Sequence, residues 1–359
     1  MGALMLFFNF LIVIVIISII VVVISKKKKK LNRKSEMEMS SQNIANIVQE
    51  GLTSDTSKYM IDSNDIVFSH KLAQGAFGVV YLGEWRKQPV AVKELKMNVG
   101  DGEEDQEAFE KCILELKNEI KTLSLLRHRN IVTFMGICIT PPDTYAIVTE
   151  FIDGGSLYDR LHVKAKKANF SWNQKLSILH QISQACLFLH QQGIVHRDLK
   201  SHNILLDGYP GDRIVPKVCD FGLAKSKEAM ETVNATSTQQ VGTPLWMAPE
   251  VVLGDSYGSE CDVFSFAIIM WETLMEKLPY NKQKTLANIQ VKVANDPNFR
   301  PTVPSQEEIE GSDASLKEIE SKNEFIEFMK KSWQHDPKAR PKFEEIVDFF
   351  ASLLKKMKN

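Results

Sequence analysis

Three patterns of apolar and polar positions follow one another along the chain. Residues 4–24 (LMLFFNFLIVIVIISIIVVVI) are apolar apart from Asn9 and Ser18. At 1.5 Å per residue they predict roughly 31 Å of helix, about one hydrocarbon core. Their Val and Ile content would favour strand in water. In lipid every backbone group must be satisfied within the segment, which selects the helix. From residue 66 the pattern turns to short apolar or alternating runs, 66–72, 79–85 and 89–95, separated by QGAFG and RKQ. Such runs predict an antiparallel meander. Residues 109–126 (FEKCILELKNEIKTLSLL) place apolar side chains at helical spacing, and the acidic stretch before them, 97–108, predicts a solvated loop. After Gly154-Gly155 the pattern becomes helical, most clearly over 172–190, 262–275 and 323–333. No internal repeat is visible.

Composition then narrows the class. With 359 residues, 44% hydrophobic and 25% charged, the chain can bury one large core or two linked ones, which excludes disorder, collagen and a small disulfide scaffold. Net charge is −1, but it is segregated: residues 26–34 (KKKKKLNRK) carry seven cations and no acid. The rest holds 37 basic against 45 acidic side chains, a mildly acidic body unsuited to nucleic acid. Cys112, Cys138, Cys186, Cys219 and Cys261 show no C-x-x-C or zinc spacing. They read as packing thiols in a reducing compartment.

The apolar run lacks a basic flank before it, is too long for a secretory leader, and is followed by lysines where cleavage would occur. It is expected to be an uncleaved transmembrane anchor (1–25), with a basic and polar juxtamembrane linker after it (26–64). Flanking cations place the body on the cytosolic side of a single-pass protein. Three residues before the run are too few for a ligand-binding ectodomain, which argues against a receptor. Lys26 to Lys34 serve as a stop-transfer flank or attract anionic lipid at about 1 kcal/mol per residue. Leu6 stands where N-myristoylation needs Ser or Thr. The sequons at Asn169 and Asn234 fall in the expected cytosolic body and are expected to stay unglycosylated.

Candidate chemistry lies in four places. The stretch from Leu72 to Val80 (LAQGAFGVV) sits between two predicted strands, where glycines would let backbone N–H groups approach phosphate; a hairpin turn alone fits it equally well. Lys93 closes an apolar strand (VAVK), either as a buried ammonium needing an anionic partner or as a snorkelling edge residue. HRDLKSHN (residues 196–203) packs Asp198, Lys200 and Asn203 between apolar runs, and Asp220-Phe221-Gly222 follows seventeen residues after Asn203. Asn203 and Asp220 are hard oxygen donors suited to Mg²⁺. Each could be an ordinary turn; their joint order and spacing could not plausibly be accidental.

Together these residues resemble the protein kinases, over about residues 66–354, some four-fifths of the chain. The landmarks GTPLWMAPE (242–250), DVFSF (262–266) and Trp333 through DPKARP (336–341) match the same family. GEW before VAVK, LRHRNIV and HRDLKSHN resemble its tyrosine-kinase-like, mixed-lineage and Raf-type branch. The resemblance implies an α+β, two-lobed fold: a small β-rich lobe with one helix (66–152) and a larger helical lobe (153–354). It implies ATP and Mg²⁺ as cofactors and proteins as substrates; oligomeric state is left open.

By resemblance, Asp198 accepts the substrate hydroxyl's proton, Lys200 touches the transferring phosphoryl group, and Asn203 and Asp220 hold the metal. Lys93 holds the α and β phosphates and is itself positioned by Glu119, with Glu115 one turn earlier as the fallback. Leu72, Ala73, Gly75, Phe77, Gly78, Val80, Ala91, Glu150 and Ile152 line the nucleotide site. Ala73 replaces the family's first loop glycine and Ala267 another common glycine; neither change implies loss of function. His196 and Phe221 read as packing residues. Thr149 matches the gatekeeper before the hinge Glu150-Phe151-Ile152, and Glu250 with Arg340 matches a buried ion pair. Lys200 with Thr243, which would bond Asp198 and Lys200, implies Ser/Thr specificity, with tyrosine or dual specificity still open. Arg197 could order a phosphorylated activation segment, where Thr232, Thr236, Ser237 and Thr238 lie; Thr238 is the candidate phosphosite. Cys219 reads as a core residue or a reactive thiol beside the metal. A pseudokinase scaffold is the competing class, one that would have no physical need to keep Lys93, Asp198, Asn203 and Asp220.

Overall fold

The computed structural model describes residues 58–75, 78–95, 120, 123–140, 144–211, 213–220, 225–226, 244–281, 285–310 and 315–358. The expected anchor, most of the linker, the acidic insert and most of the 109–126 helix lie outside them. Among the described residues no helix is long and apolar enough to cross a membrane.

Among the described residues the smaller lobe carries one five-stranded antiparallel sheet. Strands β1 (Ile66–Gly75), β2 (Gly78–Trp85) and β3 (Gln88–Leu95) form the expected meander. Two more strands, β4 (Phe134–Thr140) and β5 (Thr144–Glu150), complete it in the order β1-β2-β3-β5-β4. The alternation signal misses this second pair because FMGICIT and TYAIVTE are apolar on both faces, so they show no period of two. Val90, Val92, Cys138, Ala146 and Val148 pack with Ile61 and Ile66 on one face. Tyr145, Ile147, Phe134 and Ile137 join Ile120, Leu123 and Leu126 in the main core.

Residues 58–62 do not continue the linker. Ile61 N–H donates to the Ile137 carbonyl at 2.7 Å and Ile137 N–H to the Tyr59 carbonyl at 2.9 Å, adding a short parallel pairing at the exposed edge of β4. An unpaired edge invites such a strand. Gly136 admits it: a Cβ there would stand 2.5 Å from the Tyr59 carbonyl oxygen.

Among the described residues the larger lobe holds α1 (Leu157–His162), α2 (Trp172–Gln191), two short strand pairs and six further α-helices. The paired strands are β6 (Ile194–Val195), β7 (Ile204–Asp207), β8 (Val215–Val218) and β9 (Lys225–Ser226), joined as β6-β9 and β7-β8. The helices are α3 (Pro249–Leu253), α4 (Glu260–Met275), α5 (Leu286–Asn295), α6 (Gln306–Glu310), α7 (Leu316–Ser332) and α8 (Phe343–Lys358). Every residue of α4 from Cys261 to Thr273 is buried, as expected of a helix apolar on nearly all sides. Phe266 meets Phe343 and Phe350 edge-on, with centroids 5.5 and 6.0 Å apart. α7 begins seven residues before its predicted start because Ser315 caps it, its side chain accepting from Glu318 N–H.

Arg340 and Glu250 form the expected pair, with Nη1 and Nη2 donating to the two carboxylate oxygens at 2.6 and 2.9 Å. The carbonyls of Glu260, Gln334 and His335 take the three other N–H groups. All five donors of a buried guanidinium are thus used. Arg340→Met should cost about 3–5 kcal/mol by stranding the Glu250 carboxylate. Chemical denaturation would read this as a lower midpoint at unchanged slope.

Candidate active site

Strand alternation places the first charge. Val90 and Val92 are fully buried on one face of β3, so Ala91 and Lys93 emerge on the other. Lys93 stands between Val80 of β2 and Ile147 of β5, and Ala91 between Leu82 and Thr149. Leu72 and Ala73 lie on β1, where extended Ala73 pairs with Val80 and Gly75 with Gly78. Gly78 has φ 145°, a conformation that favours glycine. Phe77 lies outside the described residues, as do Glu119 and Glu115.

The loop between β6 and β7 carries the second group. Asp262, in the first turn of α4, is buried and accepts from His196 N–H and Arg197 N–H, both at 2.9 Å. His190 Nε2 lies 2.9 Å from the same carboxylate. Burial alone would raise the Asp262 carboxyl; the bond and charge of His190, the charge of His196 and the Arg197 N–H outweigh it and hold the group below the ordinary aspartate range. Clamped there, Arg197 adopts φ 70°, a strained conformation for a side chain of its size. Asp198 follows directly. Lys200 Nζ donates to Asp198 Oδ2 at 2.5 Å, and Asn203 Nδ2 donates to the Asp198 carbonyl at 2.8 Å and to Oδ2 at 3.2 Å. His196 is fully buried, its Nε2 lying 3.1 Å from the Cys219 carbonyl, so it packs and orients, as expected.

The third group is tied to the second. Cys219 N–H donates to the Asn203 carbonyl at 2.9 Å, and Asp220 comes next with φ 64°. Lys93 Nζ bonds Asp220 Oδ1, joining the two lobes. Burial would raise the Asp220 carboxyl, but the Lys93 ammonium holds it below the ordinary range. Lys93, Asp198, Lys200, Asn203 and Asp220 therefore converge on one cleft. Asn203 commits its Nδ2 to Asp198, which leaves Oδ1 as the amide's accepting atom. An amide oxygen and an ionised carboxylate on adjoining segments fit Mg²⁺, which takes few protein ligands and fills its shell with phosphate and water. Burial pushes the Cys219 thiol up to about 12, which favours its reading as a packing residue.

At the hinge, the Glu150 carboxylate accepts from Lys217 Nζ at 2.8 Å and Thr133 N–H at 2.7 Å; Ile152 is buried. Arg197 Nη2 bonds the Tyr257 hydroxyl. Thr232, Thr236, Ser237, Thr238, Thr243 and Phe221 lie outside the described residues. Sequence reasoning did not assign Asp262 or Lys217 these contacts. The available signal was a lone charge in an apolar run, IVPKV for Lys217 and CDVFSF for Asp262.

Because the Asp262 carboxyl is held low, its stabilisation is present above the ordinary aspartate range and lost as pH falls through the folded-state value. Asp262→Asn should lower the melting temperature at neutral pH, and melts scanned downward in pH should then lose less stability than the parent does in acid.

The comparisons agree with this geometry. Residues 66–349 match the family model described as the protein kinase domain. A probable serine/threonine-protein kinase of Dictyostelium discoideum is 36% identical over 289 residues, covering 80% of this chain and 28% of the relative. Serine/threonine-protein kinases STY46 and STY17 of Arabidopsis thaliana are 34% and 33% identical over 302 and 306 residues, covering 84% and 85% of this chain. The chain spans 46% and 47% of those two relatives' lengths, so it reaches at most about half of any of the three. On the family match and the converged cleft, the chain belongs to the protein kinase domain family.

Proposed function

We propose that the chain is an ATP- and Mg²⁺-dependent protein serine/threonine kinase. The observation that carries this reading is the convergence of two carboxylates, two ammonium groups and a carboxamide in one cleft between the lobes. When bound, ATP with Mg²⁺ supplies the activated phosphoryl group. Asp198 orients the substrate hydroxyl and accepts its proton. Lys200, bonded to Asp198, supplies positive charge where negative charge develops. Lys93 holds phosphate oxygens, and Asn203 Oδ1 and Asp220 hold the metal. Glu119 is the proposed partner that positions Lys93. The backbone around Glu150 and Ile152, with Leu72, Val80 and Ala91, forms the adenine side of the cleft. Specificity for Ser and Thr is supported by Lys200 and by the names of the relatives.

In the same reading, residues 4–24 anchor the protein in a membrane as a single-pass helix with the catalytic domain cytosolic. The apolar length and the cations at 26–34 support it. The basic run adds attraction to anionic lipid. Phosphorylation near Thr238 would give Arg197 an anionic partner and order the segment for catalysis.

Asp198→Ala in the full chain should reduce phosphate transfer to a generic protein substrate by about a thousandfold or more, while Mg·ATP still binds. Equal background transfer by both proteins would favour a scaffold. Removing residues 1–34 should shift a fluorescent fusion from membrane to cytosol, and unchanged membrane location would overturn the anchor.

A further inference from the structure

A cavity of about 370 Å³, none of whose lining residues belongs to the catalytic set, lies between the first half of α2, the stretch before β4 and the stretch entering β8. Small-ligand sites commonly fall in this size range, about 300–1,000 Å³. The charge on its walls has one sign. Arg129 and Arg213 border it, and no residue lining it is acidic. Among the described residues neither arginine forms an ion pair. The chain after residue 34 has more acids than bases, so two such guanidinium groups on one cavity reverse the charge locally.

The uncharged polar side chains around the arginines are committed so that donors remain for a ligand. Gln181 is fully used: its Oε1 accepts from Asn130 Nδ2 at 3.2 Å, and its Nε2 donates to Ser177 Oγ at 3.3 Å and to the Ile214 carbonyl at 3.2 Å. Ser177 Oγ therefore accepts from Gln181 and keeps its own proton to give. Gln174 Oε1 accepts from Ser171 N–H at 2.9 Å, which leaves the Gln174 NH₂ group. Two guanidinium forks, one hydroxyl and one amide NH₂ make a set of donors. Such a set suits a tetrahedral oxyanion with several accepting oxygens, and the arginine fork matches phosphate in particular.

The cavity also stands at the joint between the lobes. Asn130, next to Arg129, bonds Gln181 and the Pro216 carbonyl, the latter at 2.9 Å. Ile214, next to Arg213, gives its carbonyl to Gln181 and leads into β8, which carries Lys217 to Glu150 at the hinge. A ligand held by both arginines would brace the stretch entering β4 against the stretch entering β8.

We propose that this cavity binds a small phosphate-bearing ligand, held by Arg129 and Arg213 and bonded by Ser177 and Gln174, and that its occupancy stiffens the joint between the lobes. The site lies apart from the phosphotransfer reading and does not depend on it. A soluble phosphate ester and the headgroup of a phosphorylated lipid offer the cavity the same chemistry.

Inositol trisphosphate serves as the soluble probe, titrated calorimetrically into the full chain in detergent with Mg²⁺ and a saturating non-hydrolysable ATP analogue. Arg129→Gln and Arg213→Gln should each weaken its binding about tenfold or more, the worth of one charge-assisted hydrogen bond. Both side chains are exposed, so the fold should survive either change. Ser177→Leu leaves every charge in place but fills the cavity, and should abolish binding; a melting temperature close to the parent's verifies that this variant is folded. Equal affinity in the parent, the doubly substituted Arg129→Gln/Arg213→Gln chain and Ser177→Leu means diffuse attraction to cations such as those at 26–34, and overturns the proposal. No binding by the parent overturns it as well. The source is read from the full chain reconstituted into phosphatidylcholine vesicles. Amide exchange over 129–132 and 214–218 should slow when phosphatidylinositol bisphosphate is included, if the ligand is a lipid, or only when soluble inositol trisphosphate is added, if it is not. No slowing in either arm overturns the claim that occupancy stiffens the joint.

Discussion

Everything in the cleft hangs on a carboxylate that never faces it. Asp262 takes two consecutive backbone N–H groups, those of His196 and Arg197, and a ring nitrogen of His190. It sits in the first turn of α4, where the helix dipole favours negative charge. These contacts outweigh the cost of burying the charge and hold Arg197 at φ 70°, a strain of about 1–3 kcal/mol for a non-glycine residue. The turn aims Asp198 into the cleft. From Asp198 the order propagates through Asn203 Nδ2, then from the Asn203 carbonyl to Cys219 N–H, and so to Asp220 and Lys93.

The charges in this chain of contacts alternate in sign. Lys93 lies against Asp220 and Lys200 against Asp198. An ammonium group already stands beside each acid, and each amine is held where anionic phosphate would need it. Such prearranged charge requires little reorganisation when a reaction develops charge of its own. On the proposed reading, a reaction needing little covalent help from the protein would run on these five side chains. The same arrangement argues against a purely packing role for the set, since apolar residues of similar volume would fill the space at lower electrostatic cost.

Much of this was legible in the sequence, for physical reasons that differ by element. The meander β1-β2-β3 was visible because short apolar or alternating runs are set apart by QGAFG and RKQ, which read as turns. β4 and β5 were not singled out because both of their faces are covered. Lys93, Asp198, Asn203 and Asp220 stand out as polar side chains inside or beside apolar runs, and their spacing carries the family pattern. Asp262 and Lys217 stand in apolar runs too, yet their partners at His196, Arg197 and Glu150 lie 65 to 67 residues away. No local period can announce such a contact. The early start of α7 at Leu316 was recoverable from Ser315 and Glu318, a capping pattern that the apolar spacing alone does not weigh.

One of those unannounced contacts explains how the lobes keep their register. Lys93 pairs across the sheet with Ile147 of β5, and β5 ends at Glu150. The Glu150 carboxylate takes Lys217 from β8, and β8 ends two residues before Asp220. Alongside, Val132 N–H donates to the Val218 carbonyl, Val218 N–H to the Asn130 carbonyl, and Asn130 Nδ2 to the Pro216 carbonyl. The link between the lobes is thus hydrogen-bonded to the strand that delivers Asp220. Burial would raise the Glu150 carboxyl, yet Lys217 and Thr133 pull it below the ordinary range. Lys93 and Asp220, 127 residues apart, meet because a closed circuit of strand pairings and one ion pair spans the hinge between them.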